Sequence, residues 1–287
     1  MVYLQNGTFS MEIATLGAEP QSLKNIQDNR EYIWNGDKEY WFRHAPLLFP
    51  MTGPTKENMI SVNGKTYPMS NNGFARDMEF AVLENDDTHA VFLLEDNEQT
   101  KAMYPFGFSL MVTYTLLNDG YSARAQILAK DDQYFSFGWH PAFSLDMNGK
   151  ETSLEQYQVE FTKRETTDRK YPVNGVFVTE KNFLDNTSLL DLSRIETDKG
   201  PIILENLRSK SITLRCKSGK HGVRVERNDF PTFVIWTCSP KHGQYVCLEP
   251  MWSFGDTTRP LELKDMKETM FLEKGKKKVF ENTFKVF

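Results

Sequence analysis

The chain has 287 residues, with 34 Lys and Arg against 39 Asp and Glu, giving a formal charge of −5. That acidic balance argues against a nucleic-acid-binding surface, which must neutralise phosphates, and 39% hydrophobic with 25% charged residues excludes disordered and collagen-like chains. Three cysteines, Cys216, Cys238 and Cys247, have no Cys-x-x-Cys spacing, which excludes a disulfide framework and a zinc ribbon. The N-terminus lacks a basic stretch followed by an apolar one, and the most apolar run, Phe106 to Leu117, is broken by Ser and Thr. The expectation is a cytoplasmic protein without a membrane or nucleic-acid partner, monomeric or homodimeric. A chain this long buries about 75% of its unfolded surface, and no linker or composition break divides residues 1–287, so one domain is expected.

Taken in chain order, the pattern has period two. Phe9, Met11 and Ile13 alternate, and ISV-NG-KTY reads as a hairpin. Phe106, Phe108, Leu110, Val112, Tyr114 and Leu116 share one face, Asn118-Asp119-Gly120 turns the chain, and Tyr121, Ala123, Ala125, Ile127 and Ala129 return on one face. Shorter alternations follow at Tyr157/Val159/Phe161, Ile212/Leu214 and Val223/Val225. The basic run Glu273–Lys278 reads as a solvated loop before a last strand, KKVFENTFKVF. Helical spacing is confined to short stretches near Asn182–Leu190 and Leu263–Met270. Asn-Gly, suited to the positive φ of tight hairpins, occurs six times, at Asn6, Asn35, Asn63, Asn72, Asn148 and Asn174. The fold class expected is all-β, one large antiparallel β-sandwich with very little helix.

Phosphate-loop, dinucleotide, zinc-protease and serine-hydrolase motifs are absent, and Ser218–Gly222 (SGKHG) lacks phosphate-loop spacing. The histidines, His44, His89, His140, His221 and His242, show no i,i+2 or i,i+4 pairing that suggests a metal, so an enzyme here works with side chains alone. Four segments are unlike ordinary strands. Tyr40–Gly53 (YWFRHAPLLFPMTG) sets Arg43 among aromatics and prolines, and Pro cannot donate to a sheet ladder, so the segment runs along an edge or across a strand end. Asn71–Phe80 is a polar turn presenting Asn72 and Arg76 beside Asp77; its plain reading is a hairpin turn with a local ion pair. Phe135–Phe143 (FSFGWHPAF) holds His140 extended before Pro141, among Phe137, Trp139 and Phe143; a core histidine bonded to backbone is the plain alternative.

In Tyr245–Asp256 (YVCLEPMWSFGD), alternation places Tyr245, Cys247 and Glu249 on one face and Val246 and Leu248 on the other. A carboxylate among Leu, Pro, Met and Trp is costly to desolvate without a use or a partner, and such a setting raises its pKa towards that of a neutral-pH base. One buried Glu, one imidazole, two arginines and many aromatics suit a sugar: aromatic faces meet C–H groups while polar groups bond hydroxyls.

Together these segments resemble the aldose 1-epimerase (galactose mutarotase) family, most of all its shorter bacterial branch of lactose-operon-associated proteins and hexose-6-phosphate mutarotases. Arg43-His44-Ala45-Pro46 with Leu48-Phe49-Pro50 is similar to the branch's R-x-A-P-x-L-F-P, Gly73–Arg76 to H-G-F-A-R, Gly138–Phe143 to G-x-H-P-x-F, and Leu248-Glu249-Pro250 to I-E-P-W. Asn72 stands where the branch has His, and Gly200 aligns near a sugar-binding Asp. The resemblance implies a galactose mutarotase-like β-supersandwich and a cofactor-free interconversion of the α and β anomers of an aldose. It makes Glu249 the base at the C1 hydroxyl and His140 the acid at the ring oxygen, with Arg43, Asn72, Arg76 and Trp139 as sugar contacts. A sugar-binding protein without catalysis, a hexose-6-phosphate mutarotase and a glycoside hydrolase stay open as alternatives.

Overall fold

A computed structural model describes residues 1–147, 153–219, 221–238, 244–255, 258, 262–266 and 269–287. The Asn148-Gly149 turn, Lys220, His242 and Asp256 of the sequence reading lie outside them. Strand covers 55% of the chain and helix 9%, so the all-β expectation holds. Among the described residues the largest sheet has 15 strands, thirteen in one path with Ala142–Ser144 beside Tyr245–Met251 and Val176–Asp191 beside Tyr157–Val173 off it, and its hydrogen-bonded order shuffles early and late segments of the chain. From one edge it runs through Leu47–Leu48, Gly138–Trp139, Tyr245–Met251, Thr232–Trp236, Ile202–Glu205, Tyr157–Val173, Ser211–Cys216, Gly222–Glu226, Lys277–Val286, Gly120–Ala129, Phe108–Leu117, His89–Glu95 and Ala81–Asn85. Its strand pairings are antiparallel. A four-stranded sheet, Val2 to Glu31, packs against it through Leu4, Phe9, Met11, Ile13 and Leu23, which join the central core.

The long hairpin forms in the phase read from the sequence. Phe108, Leu110, Val112, Tyr114 and Leu116 are buried, Leu117 pairs with Gly120, and Tyr121 to Ala129 bury alternate residues. Met59–Val62 and Lys65–Pro68 make the second hairpin, closed by Asn63 (φ 51) and Gly64 (φ 78), the positive-φ pair of a tight hairpin turn. Not every Asn-Gly closes a hairpin: the Asn35 and Asn72 copies lie in loops.

Two helical readings are corrected. Asn182–Leu190 belongs to the strand Val176–Asp191, which pairs with Tyr157–Val173. Asn182 (φ 53) and Asn186 (φ 45) sit in irregular stretches of that pairing, and only Leu184 and Leu190 of the segment are buried, so the alternation that marks a strand is missing. Near Leu263 one 3₁₀ turn, Leu263–Asp265, precedes the short strand Met270–Leu272. Among the described residues the α-helix is Glu98–Met103, started where Asn97 accepts the Thr100 N–H and Thr100 accepts the Asn97 N–H. No helix among the described residues is long and apolar enough to cross a membrane.

Candidate active site

The four unusual segments meet around a cavity of about 510 Å³, within the usual range for small-molecule sites. Backbone bonds lock them together. The His140 N–H donates to Pro46 O (2.9 Å), the Ala142 N–H to His44 O (2.9 Å) and the Leu248 N–H to Pro141 O (3.2 Å). Leu47–Leu48 pairs with Gly138–Trp139, as expected of an edge segment. Phe49 O accepts the N–H groups of both Phe74 and Ala75 at 3.0 Å, which fixes the 3₁₀ turn Ala75–Asp77 carrying Arg76.

Glu249 lies on the strand Tyr245–Met251, buried at all seven positions and paired on both sides. His140 lies between Gly138–Trp139 and Ala142–Ser144, which both pair with that strand, and its Nε2 is 3.4 Å from Glu249 Oε2. The imidazole stacks on Trp41 (centroids 5.0 Å, planes at 25°) and meets the edge of Trp236. These ring contacts on two sides hold its orientation. Neither His140 Nδ1 nor Glu249 Oε1 has a hydrogen-bond partner in another described residue.

Burial dominates the electrostatics. It raises the Glu249 carboxyl well above its ordinary 4.5. It also holds His140 down, to about 3, with Arg76 and Arg43 adding to the effect and a contact with its own backbone opposing it. The pair has the spacing of an ion pair, yet two buried charges without further partners are costly. Both shifts favour a neutral pair that shares one proton on Glu249 when the site is free.

That state has a pH signature. Between about 4.5 and 6.5 the folded pair holds one proton on Glu249 and the unfolded pair one on His140, so its contribution to stability is flat. Below 4.5 the unfolded state binds the additional proton, and above 6.5 the folded state does, so the contribution falls on both sides of the plateau. Urea unfolding from pH 4 to 8 should show the wild-type stability relative to a His140→Asn/Glu249→Gln double variant flat inside this window and declining outside it. A relative stability that rises steadily with pH would contradict the neutral pair.

Both arginines are committed. Arg43 Nη2 lies 2.6 Å from Asp77 Oδ1. Arg76 Nη2 donates to Asn71 O at 2.6 Å, and its Nε lies 3.8 Å from Asp77 Oδ2. Burial and then Arg43 lower Arg76 to about 10, which leaves it cationic at neutral pH. Behind them the buried Glu19 carboxylate accepts the N–H groups of His44 (2.6 Å) and Ala45 (2.9 Å), anchoring the loop after Arg43. Asn72 is not on an open turn: it is buried at φ 66, and its Oδ1 accepts the Gly53 N–H at 2.6 Å while its own N–H donates to Gly53 O.

Of the six residues expected at the site, the structure brings Arg43, Asn72, Arg76, His140 and Glu249 to the cavity wall. Trp139 is the correction. Alternation turns its indole to the opposite side from His140, into the core against Phe137 (5.0 Å between centroids) and Tyr114. The aromatic wall is instead Trp41, Phe42, Trp236, Phe177 and Phe254. Trp41 and Phe42 adjoin the Arg43 motif, whereas Trp236 and Phe177 stand in ordinary strand sequence with nothing local to mark them. Pro172, Pro201, Ile203, Val234 and Met251 complete an apolar wall. Histidine spacing also missed a donor cluster: one donor atom each from His140, Cys247 and Glu249 lie within 4.8 Å of one another.

The aldose 1-epimerase family model matches residues 1–278. The chain is 31% identical over 265 residues to the chromosomal protein LacX of Lactococcus lactis subsp. lactis, covering 88% of this chain and 87% of that one. A galactose mutarotase related enzyme from Lactobacillus acidophilus superposes with a TM-score of 0.91 at 30% identity, over 99% of this chain and 96% of that one. A galactose mutarotase-like protein from Lactobacillus casei gives 0.90 at 30% identity over the full length of both.

Proposed function

The chain belongs to the aldose 1-epimerase family, and on that premise we propose that it is a mutarotase interconverting the α and β anomers of an unphosphorylated hexose. The observation that carries this reading is the buried pair of His140 and Glu249, 3.4 Å apart on the cavity wall. Opening a hemiacetal takes one base at the C1 hydroxyl and one acid at the ring oxygen, and a pair sharing a single proton supplies both. A sugar hydroxyl donating to the unpartnered Glu249 Oε1 favours the carboxylate and moves the shared proton to His140. Glu249 then takes the C1 hydroxyl proton while His140 protonates the ring oxygen and the C1–O bond breaks. After rotation about C1–C2, the aldehyde recloses with the proton transfers reversed. The pair's total charge is the same before and after, which suits a site that penalises net charge.

Glu249 is the carboxylate on the cavity wall among the described residues, and the pair of carboxylates about 5–9.5 Å apart that a glycoside hydrolase requires is absent there. The substrate's charge follows from the arginines. With Asp77 facing both and Glu19 behind them, Arg43 and Arg76 do not offer an uncompensated clamp for phosphate, and their free N–H groups suit hydroxyls.

Polarimetry of freshly dissolved α-glucose, α-galactose and their 6-phosphates tests both statements. Acceleration of the free sugars over buffer is expected, with no more than a few-fold advantage for any phosphate. A strong phosphate preference that disappears in Arg43→Ala would reverse the choice of substrate. Binding without acceleration would leave a sugar-binding protein.

A further inference from the structure

Cys247 has no part in the chemistry above, yet it is buried on the same strand face as Glu249, two residues away, and within reach of His140. We propose that His140, Cys247 and Glu249 form a binding site for one thiophilic divalent cation of the Zn²⁺ or Co²⁺ type, entered from the cavity.

The donor set suits such an ion. Thiolate, imidazole and carboxylate are its usual ligands, whereas Mg²⁺ and Ca²⁺ prefer oxygen alone. Bonds of about 2.0–2.3 Å in a tetrahedron put ligand atoms roughly 3.5 Å apart. The His140–Glu249 contact already stands at 3.4 Å, and the three donors span 4.8 Å at most, so a small side-chain rotation closes the set. Three protein ligands leave a fourth position open. A dication balanced by one thiolate and one carboxylate is neutral, so the ion adds no net charge to a buried site beside Arg76.

A second observation points the same way. His140 Nδ1 and Glu249 Oε1 are buried polar atoms with no hydrogen-bond partner in another described residue. Buried groups left unsatisfied call for a missing water, ion or ligand. An ion is one such partner for the cluster, and a core thiol beside a proton-sharing pair is the plain alternative. One consequence rests on the mutarotase reading: an ion held by His140 and Glu249 takes the lone pairs that move protons, so the metal-bound form is inactive. Binding itself does not depend on that reading.

Chelator-stripped full-length protein titrated with Co²⁺ under reducing, anaerobic conditions provides the test. One equivalent should produce a near-ultraviolet thiolate-to-cobalt band and the strong visible bands of four-coordinate Co²⁺, both removed by one equivalent of Zn²⁺. Cys247→Ser should lose the near-ultraviolet band, and Cys238→Ser should keep it. His140→Asn, which leaves every thiol in place and serves if Cys247→Ser does not fold, should weaken Co²⁺ binding by more than about tenfold. The proposal is overturned by absent 1:1 binding, by a band that persists in Cys247→Ser or vanishes in Cys238→Ser, or by unchanged affinity in His140→Asn. None of these readouts uses mutarotase activity.

Discussion

Glu249→Gln is expected to slow mutarotation by roughly 10²–10⁴-fold, the usual contribution of one acid–base group. Glutamine preserves the size of the side chain and can still bond a hydroxyl, but it cannot hold and release the shared proton. At a position buried to 3% exposure, bulk water is poorly placed to stand in. His140→Asn should cost a comparable factor. The double variant should be little worse than either single one, because the two groups act as a unit on one proton. Sugar affinity by calorimetry should survive in the single variants, since Arg76, Asn72 and the aromatic wall remain. Polarimetry of a fresh α-anomer measures the rate, and full activity in Glu249→Gln would falsify the site assignment.

Gly73→Ala is expected to be strongly destabilising. Gly73 adopts φ +74, and an added Cβ would stand 2.2 Å from Phe49 O and 2.4 Å from its carbonyl carbon. Backbone cannot yield as a flexible side chain can, so the bridge between Gly73 and Phe49 must open. A left-handed alanine costs about 1–2 kcal/mol and overpacking about 1–3, together roughly 2–5 kcal/mol. Gly64→Ala is the internal control. Its φ is similar, at +78, but nothing lies within 4 Å of the added carbon, so it should cost only the conformational part. Urea unfolding of both variants separates the contributions, and equal losses would show that the close approach to Phe49 carries no energy. Because Asn72 and Arg76 flank this turn, Gly73→Ala should also weaken sugar binding.

The hairpin Phe108–Ala129 was legible in its sequence because each face has one environment, so side-chain alternation reports burial directly. The strand Val176–Asp191 was not, because its irregular pairing breaks the period. Glu249 and His140 stood out because a carboxylate and an imidazole in apolar company are expensive without a purpose. Trp139 was misplaced for a related reason: a motif names neighbours in the chain, and neighbours on a strand face opposite ways. Trp236 and Phe177 could not have been found locally. They join the cavity through contacts between residues far apart in the chain, such as Trp236 with Trp41 and Phe177 with Phe254. Asn72 looked like a solvent-facing turn residue because the bond that buries it, to Gly53, spans 19 positions.

The long hairpin built from Tyr157–Val173 and Val176–Asp191 sends Pro172 and Phe177, a cross-strand pair beside its Asn174-Gly175 tip, to the cavity wall. Glu249 stands on another strand and His140 on the link between two more, held by main-chain bonds that the tip does not touch. Chemistry and the outer cavity wall are thus written on separable stretches of the gene. A tip ending in an exposed two-residue turn tolerates exchange and insertion far better than a strand paired on both sides. On the mutarotase reading, descendants of this fold would explore new sugars by redrafting one hairpin tip while inheriting an unaltered reaction centre, and a library randomised across residues 171–178 is the laboratory form of that experiment.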